Sequence, residues 1–370
     1  MSNPVKIGVI GCGSVMTKYV ALAEQLRCRG LAEVIAASDV KSERLDFMRE
    51  QYGITRLTNN YQDILGMQDV ELVLVLTSMQ EHAEITRAAL RAGKHVLVEK
   101  PMATNLPEAK EIVELARTSP GLLMPAPHII LSDTYRIMWN RVQRGDIGKV
   151  FNARAFYGWA GPWWGQWFYR KGGGALFDLG VYNVTSLTGF LGPVKRVMAM
   201  TGVAQPDRLV EGARMKIEAE DNAHVLMDFG DSVFAVVTTG FTIQRYRTPA
   251  IELYGTTGTL QMMGDDWDPD GYELWQNDVG AWQVFDETNP GWLWYAGLEH
   301  MVECIRNHTK PLNTPEHAYH VLEIMLRAQE SGQDGQAKQI ESTFPMPNLY
   351  DERVLERFPA HLVHDPTSEP

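Results

Sequence analysis

The sequence predicts an α/β protein in two parts: a doubly wound parallel sheet, then an α+β region with a large, mostly antiparallel sheet. A chain of 370 residues exceeds one ordinary core and suits two domains. In its first third, short apolar runs alternate with helical patterns, which is typical of βαβ crossovers. Beyond about residue 125, apolar runs are instead joined by hairpin-like turns.

The first domain is predicted from the regular alternation of its elements. Predicted strands cover residues 5–10, 33–38, 72–76 and 95–98. Predicted helices cover residues 15–31, 42–52, 81–92 and 106–118. Parallel strands with such crossovers place helices on both faces of the sheet. The alternation breaks at residues 120–127, so we place the first domain at residues 1–124.

The second domain is predicted over residues 125–345, followed by an extended tail over residues 346–370 that is rich in proline and charge. Predicted strands cover residues 150–157, 194–201, 211–219, 223–229, 232–242, 250–254 and 259–263. Predicted helices cover residues 295–307 and 315–331. Turns such as Gly255-Thr256-Thr257-Gly258 join neighbouring strands, which indicates antiparallel pairing.

Composition excludes several classes of function. Lys and Arg number 34 against 46 Asp and Glu, a net charge of −12, which disfavours binding to nucleic acid. Three scattered cysteines argue against a disulfide scaffold or structural zinc, and no His, Cys, Asp or Glu grouping has metal-ligand spacing. No apolar run is long enough to span a bilayer, and the first residues lack a leader pattern. We therefore expect a cytoplasmic protein with no metal and no membrane contact.

A glycine turn follows the first predicted strand and precedes a helix. Gly11 permits the tight turn, and Gly13 lets backbone N–H groups approach a pyrophosphate at the helix N-terminus. Met16 stands where the third glycine of the Gly-x-Gly-x-x-Gly pattern would lie. The predicted phosphate-binding segment is Gly11, Cys12, Gly13, Ser14 and Val15.

Asp39 ends the second predicted strand, where a carboxylate can accept hydrogen bonds from the adenosine ribose and repel a 2′-phosphate. This position favours NAD as cofactor. Lys41 and Arg44 lie close enough to soften the discrimination, so NADP stays possible. The alternative interpretation is a solvated loop aspartate.

Two further segments carry candidate chemistry. Lys100 follows a predicted strand at its carboxyl end, where open α/β sheets bind ligands. The run Gly172-Gly173-Gly174 permits close backbone approach and leads into a helix. Asp178 and Tyr182 are four residues apart and so share one face of that helix.

Together these motifs resemble the glucose–fructose oxidoreductase and inositol dehydrogenase (Gfo/Idh/MocA) family, over about residues 5–331. The resemblance implies an N-terminal Rossmann domain and nicotinamide-dependent oxidoreductase activity. It also implies that Thr77 and His82 line the nicotinamide ribose, and that Glu99 and Lys100 of the Glu-Lys-Pro motif contact the cofactor. Many members have His where this chain has Tyr182.

Oxidation of a secondary alcohol requires removal of the hydroxyl proton as hydride leaves the carbon. A phenol with a pKa of about 10 is a poor base at neutral pH, and a nearby ammonium lowers that pKa. We therefore expect Tyr182 to be the acid/base, Lys100 to tune it and touch the substrate oxygen, and Asp178 to orient both. The alternatives are a core tyrosine, a surface lysine and a helix-start carboxylate.

Four of the ten tryptophans lie in residues 159–167, among glycines. Flat aromatic faces suit stacking on the C–H faces of a sugar or cyclitol ring. The candidate substrate contacts here are Trp163, Trp164, Trp167 and Arg170. The alternative is a loop whose tryptophans are buried at a subunit interface.

The leading hypothesis is an NAD(P)-dependent dehydrogenase or reductase acting on CH–OH groups of a sugar, cyclitol or related polyol. Two alternatives stay open: an NAD-retaining enzyme that cleaves glycosidic bonds through transient oxidation, and a non-catalytic NAD-bound sensor. An antiparallel sheet covered by helices on one face leaves the other uncovered, and relatives dimerise there. We expect a homodimer or homotetramer.

Overall fold

The computed structural model describes residues 3–286 and 292–357. The first domain holds a six-stranded parallel sheet in the order β3-β2-β1-β4-β5-β6, which is the Rossmann order. Its strands are β1 (Val5–Ile10), β2 (Ala32–Ser38), β3 (Arg56–Thr58), β4 (Leu72–Val75), β5 (His95–Val98) and β6 (Leu123–Pro125). Its helices are α1 (Met16–Cys28), α2 (Ser42–Tyr52), α3 (Tyr61–Gly66), α4 (His82–Arg91) and α5 (Leu106–Thr118).

The central strands are largely apolar because helices cover both faces of a parallel sheet. Every residue of β4 is buried, as are the last three of β5. The predicted strands and helices are all present, with ends within three residues of the predicted ones. The sequence did not predict β3, β6 or α3, because three-residue strands and a two-turn helix carry too little periodicity.

The second sheet has nine strands in the order β16-β15-β14-β13-β7-β12-β11-β8-β17. Only β7 and β12 pair in parallel, and the other neighbours are antiparallel. Its strands are β7 (Val150–Gly158), β8 (Arg196–Gly202), β11 (Asn222–Gly230), β12 (Val233–Gly240), β13 (Ile251–Gly255), β14 (Gly258–Asp265), β15 (Asp268–Gln276), β16 (Trp282–Asp286) and β17 (Lys338–Gln339).

The predicted strand over residues 211–219 is present only in part, at residues 213–216. A separate two-stranded ribbon, β9 (Asp207–Val210) and β10 (Ala213–Lys216), occupies this region. The ribbon turns at Glu211 and Gly212, whose φ values are 52° and 78°. A strand cannot continue through residues in the left-handed region.

Helices cover one face of the large sheet. The helices of the second half are α6 (Asp133–Arg144), α7 (Val181–Leu191), α8 (Gly297–Asn307), α9 (Pro315–Asp334) and α10 (Glu352–Arg357). Helices α7 and α9 pack on this sheet, whereas α8 contributes Leu298, Met301 and Val302 to the core around β1 and α1. The sequence analysis did not predict α6.

The expected extended tail differs from the structure where the chain is described. Leu349 is fully buried, Val354 is buried within α10, and Asp351 pairs with Arg136 of α6 at 2.6 Å. The predicted tail therefore begins as a packed segment with a short helix. Residues 358–370 lie outside the described part of the chain. Within the described part, no helix combines the length and apolar character that crossing a bilayer requires.

A buried carboxylate lies between β14 and β15, under α7. Asp266 is 1% exposed, and its Oδ2 accepts hydrogen bonds from Asn183 Nδ2 (3.0 Å) and Ser186 Oγ (3.4 Å). Burial raises the pKa of Asp266 to about 8, because two neutral donors do not replace the lost hydration of a carboxylate. The folded protein therefore holds a proton here that the unfolded chain releases near pH 4.

This pKa predicts a stability that depends on pH. Between about pH 4 and pH 8 the folded state binds a proton that the unfolded state lacks, so this group makes the protein less stable as pH rises. We expect Asp266→Asn to stabilise the protein more at pH 8 than at pH 5, by about 1.4 kcal/mol or more. Urea unfolding at both pH values measures the difference. Asp270→Asn, at an exposed position of β15, is the control; an equal effect of both substitutions contradicts the prediction.

Candidate functional site

The glycine turn after β1 adopts the geometry that a phosphate-binding turn requires. Gly11 has φ +94°, and a Cβ there would lie 2.7 Å from the backbone of Leu76 and Thr77. Only glycine fits this position. A Cβ on Gly13 would meet Arg44 Nη1 at an ordinary contact distance of 3.9 Å, and α1 begins three residues later. The residues present thus fit a dinucleotide pyrophosphate at the start of α1.

Asp39 follows β2 and is built into the same turn. Its carboxylate accepts hydrogen bonds from the Cys12 N–H (2.7 Å) and the Lys41 N–H (2.9 Å), and Arg44 Nη1 lies 3.2 Å away. Asp39 is 6% exposed, so it is not a solvated loop aspartate. Burial, and next the charge of Asp39, raise the pKa of the Cys12 thiol to about 12. Ser14 and Val15 follow at the exposed and half-buried start of α1.

His82 joins two loops at the carboxyl end of the parallel sheet. Its Nδ1 is 2.8 Å from Pro101 O, and its Nε2 is 3.1 Å from Thr77 O. Burial lowers the pKa of His82, and a neutral ring has one N–H, so only one of these carbonyls receives its proton. With 1% of its surface exposed, the ring packs against protein in this structure, and its contact with the nicotinamide ribose stays a prediction.

Glu99, the residue after β5, is buried and fully engaged. Its Oε1 accepts the Tyr19 hydroxyl hydrogen bond at 2.7 Å, and its Oε2 accepts the Lys100 N–H at 3.0 Å. Tyr19 also lies 3.4 Å from His128 Nε2. Glu99 therefore ties the loop that carries Lys100 to helix α1.

Lys100, Asp178 and Tyr182 come together although they are contributed by different domains. Lys100 Nζ donates hydrogen bonds to the backbone oxygen and to Oδ1 of Asp178, both at 2.7 Å. The same Nζ lies 5.0 Å from the centroid of the Tyr182 ring. The side chains of Lys100 and Asp178 keep only 13% and 12% of their exposure. The three residues that the sequence predicted therefore form one largely buried cluster.

The backbone around Asp178 is a π-turn over Leu176–Gly180 that leads into α7. Such widened turns are frequent at functional sites. The glycine run at residues 172–174 precedes this turn and approaches the Glu220 carboxylate closely. Gly174 has φ +108°, and a Cβ there would lie 2.3 Å from Glu220 Oε1. That oxygen accepts the Leu176 N–H at 3.1 Å. Glu220 thus fixes where the turn starts, and burial raises its pKa to about 7.

The expected effect of Lys100 on Tyr182 is wrong for this structure. Burial raises the pKa of Tyr182 well above its ordinary value, and the charges of Glu99 and Asp178 raise it further. The Lys100 ammonium, which is paired with Asp178 at 2.7 Å, does not outweigh these contributions. Tyr182 is therefore a neutral phenol at neutral pH in this structure.

The tryptophan segment has two parts. Trp167 stacks on Phe168 with ring centroids 3.7 Å apart, and its carbonyl oxygen lies 3.5 Å from Gln80 Nε2 in the Rossmann domain. Trp163 and Trp164 are 71% and 38% exposed. Arg170 is also exposed and donates to Gln166 Oε1 at 3.2 Å.

Sequence reasoning missed two aromatic residues beside Tyr182. The Tyr157 ring meets the Tyr182 ring edge-on with centroids 5.9 Å apart, and Trp267 lies 6.4 Å beyond Tyr157. Strand alternation could have found Tyr157, which shares the helix-covered face of β7 with Ala153 and Ala155. Trp267 lies in the turn after β14 and carries no motif. Across residues 3–286 and 292–357, no group of three or more His, Cys, Asp or Glu side chains is arranged to hold a metal ion.

Comparison with known proteins places these features in one family. Residues 5–126 match the family described as "Oxidoreductase family, NAD-binding Rossmann fold", and residues 135–261 match the "GFO/IDH/MocA C-terminal domain". The 1,5-anhydro-D-fructose reductase of Ensifer adhaerens is 28% identical over 343 residues, which cover 90% of this chain and 98% of the relative. The myo-inositol 2-dehydrogenase of Thermotoga maritima is 26% identical over 69% of this chain and 74% of its own.

A solved structure shares the whole fold. Levoglucosan dehydrogenase, in complex with NADH and levoglucosan, superposes with a TM-score of 0.82 over 92% of this chain and 100% of that chain, at 19% identity. The two family matches together cover more than half of the 370 residues. They include the glycine turn, the parallel sheet and a large part of the second sheet described above. The protein therefore belongs to the GFO/IDH/MocA family and is an NAD(P)-dependent oxidoreductase with an NAD-binding Rossmann domain.

Proposed function

We propose that this chain transfers a hydride between NAD and a hydroxyl or carbonyl carbon of a sugar, cyclitol or related polyol, with Lys100 and Tyr182 at the reacting oxygen. The observation that carries the proposal is the meeting of the Lys100 ammonium, the Asp178 carboxylate and the Tyr182 ring in one cleft. The activities named for the relatives, on anhydrofructose and inositol, support the substrate class.

The proposed roles follow from the protonation states of the side chains. Tyr182 is a neutral phenol at neutral pH, so it donates a proton to a carbonyl oxygen during reduction. The Lys100 ammonium stabilises negative charge on that oxygen, and Asp178 holds the ammonium in place. When bound, the nicotinamide supplies or accepts the hydride. In the oxidation direction the same steps reverse, and the Tyr182 phenolate accepts the proton of the substrate hydroxyl.

The substrate contacts are also part of the proposal. We assign the nicotinamide side of the cleft to Thr77 and Glu99 and the sugar side to Trp163, Trp164, Trp167 and Arg170. The Trp164 ring lies 5.6 Å from the Trp159 ring, which gives a sugar C–H face a broad aromatic surface. The free thiols of Cys12, Cys28 and Cys304 agree with a cytoplasmic location.

A substrate panel tests the proposed reaction. NADH absorbance is followed with sugars and cyclitols as NAD reductants and with their keto forms as NADH oxidants, beside a product assay for glycoside cleavage. We expect a change in absorbance with at least one polyol or keto sugar. Cleavage without net absorbance change supports the NAD-retaining glycosidase instead, and no reaction in either assay supports a sensor.

Replacing the tyrosine tests the proposed roles. Without its proton donor, Tyr182→Phe should lose about 10²- to 10⁴-fold in kcat, while NADH still binds as measured by fluorescence titration. Tyr61→Phe, on α3 and away from the cleft, is the matched control and should keep wild-type turnover. Near-normal turnover of Tyr182→Phe would remove this residue from the proposal.

The pair of Asp39 and Arg44 decides the choice between NAD and NADP. Asp39 presents a negative charge beside the glycine turn, whereas Arg44 is 41% exposed and lies 3.9 Å from the Cβ position of Gly13. We propose that Asp39 disfavours a 2′-phosphate and that Arg44 partly compensates. The net preference is therefore for NAD.

Removal of the Asp39 charge and removal of the Arg44 charge should shift the preference between NAD and NADP in opposite directions. Asp39→Asn keeps an acceptor for the Cys12 N–H but loses the charge, so the preference for NAD over NADP should fall about tenfold, or 1.4 kcal/mol. Arg44→Gln should raise the KM for NADP and leave the KM for NAD nearly unchanged. Steady-state kinetics with both cofactors measure this; a parallel change in both KM values contradicts the assignment.

The uncovered face of the large sheet supports a proposed dimer. Met198, Met200, Leu226 and Phe234 share this face in neighbouring strands and are 46%, 80%, 56% and 48% exposed. Apolar side chains in such a row on a sheet face indicate a protein interface. We propose that two copies of this chain pair through it, and that the assembly is a homodimer or homotetramer.

Charges in this face should break the assembly. We expect light scattering to report at least a dimer for the wild type and a smaller species for the double variant Met200→Glu, Leu226→Glu. Val279→Glu, at an exposed position in the turn between β15 and β16, is the control and should leave the mass unchanged. A wild-type monomer would contradict the proposed pairing.

A further inference from the structure

A cavity of about 530 Å³ opens at the end of the large sheet, next to the Tyr182 cleft. Tyr157 is its link to the site, since this residue lines the cavity and its ring lies 5.9 Å from the ring of Tyr182. The volume falls within the range of about 300–1,000 Å³ that is usual for ligand sites. The cavity is therefore separated from the Lys100, Asp178 and Tyr182 cluster by the side chain of Tyr157, which is in contact with both.

Aromatic side chains form the walls of the cavity. Trp267 packs against Tyr157 with ring centroids 6.4 Å apart, and Trp159 stands on the other side beside Trp164. Tyr246 packs on Phe156 at 4.8 Å. Such walls suit the apolar faces of a carbohydrate, as the proposed function requires.

Two arginines from the loop between β12 and β13 bring positive charge to the cavity. Arg245 and Arg247 line it and are exposed. Within the described residues, neither guanidinium has an ion pair or a hydrogen bond to another side chain or to the backbone. In a chain of net charge −12, two uncompensated cations in one cavity are a local reversal of the overall charge.

Within the described residues, the acidic side chain that lines the cavity makes no ion pair with these arginines. Asp265 also lines the wall, but its Oδ1 accepts the hydrogen bond of the Tyr246 hydroxyl. The neighbouring Asp266 is buried under α7 and is held by Asn183. The positive charges of Arg245 and Arg247 are therefore available to a ligand.

We propose that this cavity binds an anionic substituent of the substrate, a carboxylate or a phosphate, with Arg245 and Arg247 as donors, while the reacting carbon lies at Lys100 and Tyr182. The planar guanidinium offers paired N–H donors that match the oxygens of either anion. The inference rests on the proposed function and narrows its substrate class from polyols in general to acidic or phosphorylated sugars.

The first experiment measures binding, so that it does not depend on turnover. Isothermal titration of the NADH-loaded protein uses three probes with the same hexose ring: D-glucose, D-glucuronate and D-glucose 6-phosphate. We expect an anionic probe to bind at least about tenfold more tightly than D-glucose, and the advantage to disappear in the double variant Arg245→Gln, Arg247→Gln. Lys110→Gln, an exposed cation on α5, is the matched control and should keep the advantage.

The second experiment measures specificity. For any substrate that carries an anionic group, the double variant should raise KM about tenfold or more and leave kcat within about twofold, because the arginines lie away from the reacting oxygen. The KM for NADH should not change. Added salt should weaken the binding of an anionic substrate to the wild type, so that its KM approaches that of the double variant.

The outcomes separate this inference from the proposed function. Equal binding of all three probes, or an anion preference that survives loss of both arginines, overturns the inference even if polyols are turned over. Anion binding that depends on the arginines supports it even if no hydride transfer is seen, in which case the proposed function fails by itself. Both arginines are exposed in a loop, so unchanged thermal unfolding of the variant excludes misfolding as the cause.

Discussion

The ion pair between Lys100 and Asp178 is the contact on which the site depends. It joins the carboxyl end of β5 to the turn before α7, so it fixes the position of the Rossmann domain's lysine against the helix that carries Tyr182. Both side chains are nearly buried. Loss of one partner would leave an unpaired and nearly buried charge, which costs about 3–5 kcal/mol in comparable buried pairs. The pair is therefore structural as well as chemical.

Neighbouring groups hold each half of this contact in place. On one side, Glu99 binds both the Lys100 backbone and the Tyr19 hydroxyl. On the other, Glu220 binds the Leu176 N–H where the π-turn begins, and the glycine run leaves room for its carboxylate. Fixed donors and acceptors of this kind reduce the reorganisation that a reaction requires. They also explain why a helix starts with a widened turn at this point.

The distribution of charge distinguishes the ligand-facing surface from the rest of the protein. The chain as a whole is acidic, yet the exposed Arg44 flanks the glycine turn and two arginines line the cavity beside Tyr157. An acidic surface repels anions over a Debye length, whereas local cations act at contact distance. This distribution of charge favours anionic ligands only at the glycine turn and in the cavity, where these arginines lie. A dinucleotide is one such ligand, and an acidic sugar would be another.

The sequence predicted the Rossmann domain and the members of the central cluster. Apolar strands such as β4 are buried on both faces, and Gly11 can be replaced by no other residue, so these signals are local and strong. The strand predicted over residues 211–219 is too long: only residues 213–216 form a strand there, because Glu211 adopts a left-handed conformation that no periodicity reveals. The sequence analysis also predicted a lowered pKa for Tyr182, whereas the structure raises it. The burial of a side chain and the pairing of Lys100 with Asp178 cannot be deduced from the sequence.

By itself, the sequence determined which residue types stand at strand ends and helix starts, and with them the fold, the cofactor class and the lysine, aspartate and tyrosine of the site. Only the tertiary structure decided how these residues are placed: Lys100 pairs with Asp178, Tyr182 keeps its proton, and Arg245 and Arg247 face a cavity. The physical reason is that backbone geometry and apolar periodicity are set by near neighbours. Desolvation and electrostatic pairing depend instead on groups that are distant in the chain and meet only after folding.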